Sequence, residues 1–69
     1  MERYVLRVLC AGIAKAARHA AGIADLAIDK AQTESIGVVQ IDFVEVKAEC
    51  AKAIALCDLV FSARELEDK

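Results

Sequence analysis

The sequence predicts an all-α protein, a two-helix hairpin that dimerises into a four-helix bundle. Three observations point there. Alanine, the strongest helix former, is abundant, and proline, which breaks helices, is absent. Apolar residues recur at the helical period over two long stretches. The second stretch is apolar on more than one side, a surface that a single helix partner cannot cover.

The first helix is expected over about residues 3–32. At about 100° per residue, Val5, Leu6, Leu9, Ile13, Ala16, Ala17, Ala20, Ile23, Ala24, Ala27 and Ala31 fall on one face. Arg3, Arg7, Lys15, Arg18, Asp25 and Asp29 fall opposite. Leu6, Ile13, Ala20 and Ala27 also repeat every seven residues, as a helix-packing seam does. The middle of the seam is alanine, so a neighbouring helix can approach closely there and gain dispersion contact along the backbone.

The pattern breaks at Gln32-Thr33-Glu34-Ser35-Ile36-Gly37. Gly37 is a natural left-handed helix terminator. The following Val38-Val39-Gln40-Ile41 is rich in β-branched residues, and Asp42 followed by Glu45 resembles a capping box. The reading preferred is a linker over about 33–41, extended over 37–42, with the second helix running from about 42 to 66. The alternative is a helix that starts near Ile36.

In the second helix, Phe43, Val46, Cys50, Ala53, Cys57 and Val60 follow a three-four spacing flanked by Ile54 and Phe61. The expected core of hairpin and dimer is therefore Leu6, Leu9, Ile13, Ala20, Phe43, Val46, Cys50, Ile54, Cys57 and Phe61. A second apolar line holds Val44, Ala48, Ala51, Ala55, Leu59 and Leu66, separated from the first by Lys47 and Asp58. Leu56 lies on neither line.

A chain of 69 residues makes one domain and buries only ~60% of its unfolded surface, so it needs a staple. Three cysteines, Cys10, Cys50 and Cys57, are an odd number at spacings that match no disulfide framework. No CxxC pair accompanies the single His19, so zinc is not indicated either. The cysteines sit among apolar neighbours and read as reduced core residues of a cytoplasmic protein. Association is the remaining staple. Charges interrupt every apolar run, which argues against a membrane span, and helix 1 has too few lysines and too much alanine for surface binding to lipid.

Charge is unevenly distributed. Residues 3–24 carry four cations and no acid, whereas 25–69 carry ten acids against five bases. In an antiparallel hairpin, the basic start of helix 1 lies beside Asp58, Glu65, Glu67 and Asp68. This layout opposes both helix dipoles at ~0.3–1 kcal/mol per misplaced charge, so cross-helix pairing or a partner must offset it.

No constellation reads as catalytic. His19 has no nucleophile and orienting group near it in sequence, and the expectation is a boundary histidine. Glu45 and Glu49 are four apart without an EXXH pattern and read as a solvated face. Gly12, Gly22 and Gly37 form no phosphate-binding loop. The basic face of helix 1 is small and the rest of the chain acidic, so nucleic acid is a weak candidate partner.

The expectation is a homodimeric, non-enzymatic protein that binds another protein as an adaptor, inhibitor or assembly factor, with no cofactor and no metal. Very short proteins without catalytic groups are often of this kind, including many carried by phages and plasmids. The alternative is a small nucleic-acid-associated regulator, antitoxin-like. The residues expected to meet a partner are Leu56 and Leu59 on helix 2 and the charged end formed by Arg3, Arg7, Glu65 and Asp68. The helix 1 face at Lys15, Arg18 and His19 is next in line.

Overall fold

The computed structural model describes the chain from Glu2 to Glu67, with side chains to Ala63. It is a helical hairpin: α1 spans Arg3–Thr33 and α2 spans Ile36–Glu67. Lys30 lies beside Asp42, His19 beside Glu45 and Glu49, and Gly12 beside Leu56. One number rises as the other falls, so the helices run antiparallel. The pair forms a rod of 54 × 17 × 11 Å.

The turn is shorter than the sequence reading had it. Only Glu34 and Ser35 separate the helices, and residues 37–42 are helical, not extended. Glu34 closes α1 with extended backbone and donates its N–H to the Lys30 carbonyl at 2.7 Å. The Ser35 carbonyl accepts the first α2 bonds, from the N–H groups of Val38 at 3.1 Å and Val39 at 3.3 Å. Gly37 is not a left-handed cap; among the described residues no glycine has positive φ. The physical reason is the backbone. A lone extended segment would leave its N–H and C=O groups without a ladder, whereas a helix satisfies them internally. The β-branched residues cost the helix only a few tenths of a kcal/mol each. Asp42 accordingly does not cap a helix. It lies in mid-helix, half-buried, where Lys30 Nζ reaches its Oδ2 at 2.9 Å.

Only Ala16, Ala20 and Ala27 are buried among the described residues. Leu6, Leu9, Ile13 and Ile23 of α1 are half-buried. From α2, Val39, Val46, Glu49, Ala53, Leu56 and Val60 meet them. This α2 seam is turned by roughly 60° from the one read in the sequence. Val46, Ala53 and Val60 belong to both. Phe43, Cys50, Ile54 and Phe61 are exposed on the single hairpin. Cys10 and Cys50, read as core, are exposed too, and Cys57 is half-buried. The alanine line explains the turn. Helices that approach closely over alanine leave no room for phenylalanine between them, so small and medium side chains take the seam and the rings move to its flank. Among the described residues, no helix is long and apolar enough to cross a membrane.

Candidate functional site

The seam divides the hairpin into two broad sides of different character. One side is polar. His19 presents Nδ1 to Glu49 Oε1 at 3.4 Å and Nε2 to Glu45 Oε1 at 3.5 Å, and Lys52 Nζ lies 3.3 Å from the same Glu49 oxygen. Both His19 ring nitrogens therefore face a carboxylate oxygen. Glu49, with its side chain 15% exposed, is the hub of the group. His19, Glu49, Lys52 and Lys15 rim a groove floored by Gly12, Ala16 and Leu56. The floor is tight: a Cβ on Gly12 would sit 3.1 Å from Leu56 Cδ1.

The other side is apolar. Displaced from the α1 seam, away from His19, lie Leu6, Cys10, Ile13, Ala17, Ala21 and Ala24, followed by Ile28 and Ala31. No charge interrupts this stripe. In an antiparallel pair the two helices wind in opposite senses as seen from one end. The α2 flank away from Glu45 and Glu49 therefore lies on the same side, and it carries Phe43, Cys50, Ile54, Cys57 and Phe61. Ile28 is 61% exposed, Ile54 63% and Phe61 66%. All three cysteines lie on this side. Lys47 and Asp58 mark its outer edge on α2. Beyond them the outer stripe of α2, facing away from α1, is again uncharged: Ile41, Val44, Ala48, Ala51, Ala55 and Leu59.

The residues expected to meet a partner are scattered over this frame. Leu59 is exposed on the outer stripe. Leu56 is half-buried in the seam against Gly12, not on an outward face. Arg3 and Arg7 are exposed near the start of α1, where Arg7 borders a shallow depression with Tyr4, Leu6 and Cys10. The Glu65 side chain and Asp68 lie outside the described residues, and so do the pairings expected of Glu65, Glu67 and Asp68. Sequence reasoning missed the grouping of His19 with Glu45, Glu49 and Lys52. The turn position was the signal that would have found it, because a turn at 34–35 sets residue 19 opposite residue 49.

Chemically, the polar group sets the His19 ring between the carboxylates of Glu45 and Glu49, with Lys52 paired to Glu49. The thiols lie on the opposite side of the hairpin. Among the described residues, no cluster of three or more His, Cys, Asp or Glu side chains is placed to hold a metal ion. No family model, curated protein or solved structure matches the chain.

Proposed function

We propose that this chain is a small, non-enzymatic regulator that acts as a homodimer and binds another protein, as an adaptor or inhibitor. The observation that carries the reading is the imbalance between core and surface. Among the described residues only three alanines are buried, while residues as large as Phe61, Leu26, Ile41 and Val44 are exposed by 66% or more. The accessible surface is 5507 Å², against ~4200 Å² for a compact monomer of this mass. Exposed apolar area on this scale marks sites of protein association.

The dimer and the partner require separate surfaces, and the hairpin offers two. The outer stripe of α2, with Leu59, Val44 and Ile41, is the surface assigned to the partner. It presents apolar anchors at helical spacing, as helix-in-groove recognition uses. Capture on the immobilised chain from native lysate, followed by mass spectrometry, tests this. The expected result is a defined protein retained in high salt and lost from the Leu59→Asp variant. Recovery of nucleic acid that washes off steeply with salt would instead identify a nucleic-acid-associated protein and overturn the proposal.

A further inference from the structure

We infer that the cysteine-bearing broad side is where two copies of this chain pair, α2 of one hairpin lying over α1 of the other. The inference rests on the homodimer reading and assigns its interface.

Shape is the first argument. On this side the middle of α1 is a trough of small residues, Ala17, Ala21 and Ala24, whereas α2 carries the protruding Phe43, Ile54 and Phe61. A two-fold axis parallel to the helices keeps each residue at its own height, so Phe43 of each hairpin lies over the alanine trough of the other, and Ile54 and Phe61 lie over its Ile13, Cys10 and Leu6. Both contacts form at once, as an isologous interface requires. Every neighbouring helix pair is then antiparallel, the arrangement of an up-down four-helix bundle.

Charge is the second argument. A two-fold contact brings each surface against its own copy, so a charged surface meets like charge. The α1 stripe has no charge from Leu6 to Ala31, and Lys47 and Asp58 stand at the edge of the α2 flank. The opposite side, with Lys15, His19, Glu45, Glu49 and Lys52, would have to bury charges in an apolar contact.

Area is the third. The broad side measures 54 × 17 Å, on the order of 900 Å² in plan, and a standard stable interface takes ~800 Å² from each partner. The outer stripe of α2 is one helix wide and offers less. Pairing through the broad side also encloses Cys10, Cys50 and Cys57, placing these free thiols in the buried setting typical of reduced cysteine.

A matched pair of variants tests the inference. Ala17→Glu places a charge in the trough, and Ala55→Glu places the same charge on the outer stripe of α2. Both positions are exposed on the single hairpin and both residues are good helix formers, so the change itself is mild. Sedimentation equilibrium is expected to show the parent and Ala55→Glu as dimers and Ala17→Glu dissociating at about 100-fold higher concentration. A dimer undisturbed by Ala17→Glu, or one broken by Ala55→Glu alone, overturns the interface assignment and leaves the homodimer reading standing. A parent chain that sediments as a monomer overturns both. If Ala17→Glu fails to fold, thiol labelling of the parent decides. Slow reaction of Cys10, Cys50 and Cys57 in the dimer, becoming fast on dilution, supports the assignment; equal rates in dimer and monomer refute it.

Discussion

Ala20 is 7% exposed and lies on the line of closest helix approach, with Ala16 one turn before it and Ala27 two turns after it. A larger side chain there has to push the helices apart along a contact that depends on their proximity. Ala20→Leu is expected to destabilise by ~1–3 kcal/mol through overpacking, seen as a lower urea midpoint. Gly22, two residues on, faces open space, with nothing within 4 Å of an added Cβ. Gly22→Ala is therefore expected to raise stability by ~0.5–1 kcal/mol, because alanine loses less backbone freedom in a helix. Gly12→Ala gains less in the same assay, since its Cβ meets Leu56. The alanine line was legible in the sequence because its residues repeat within one helix. The surroundings of His19 were not, because Glu45, Glu49 and Lys52 come from the other helix and their approach depends on where the chain turns.

The turn is the element-scale feature that decides the rest. α1 was readable almost to the residue: apolar and charged positions separate cleanly around it, and Thr33 ends it one residue beyond the sequence estimate. α2 was not. Its apolar residues surround most of its circumference, so periodicity selects no single face for the seam. The β-branched start also resembles a strand locally, and only the missing sheet partner and the Ser35 carbonyl decide for helix. A proline makes the difference measurable. Gln40 is exposed, and its backbone lies inside α2. Gln40→Pro is expected to cost ~3 kcal/mol, lowering the thermal midpoint and the helical ellipticity. An extended linker at 37–42 would accept the proline with little change.

On the scale of the whole molecule, a radius of gyration of 16.0 Å contrasts with ~11 Å for a compact domain of this length. The hairpin is a rod with one shared seam, and most of its large apolar side chains are exposed among the described residues. The sequence showed that α2 is apolar on several sides. It did not show that the two helices present one continuous uncharged side, because that depends on the antiparallel register and the rotation of α2. The central claim is that folding of this hairpin is coupled to its association. Thermal unfolding followed by far-ultraviolet ellipticity over a range of chain concentrations, with the mass measured by light scattering at each, tests it most directly. A midpoint that rises with concentration, with a native mass of about twice 7.4 kDa, is the predicted result. A midpoint independent of concentration and a mass of one chain throughout would contradict it.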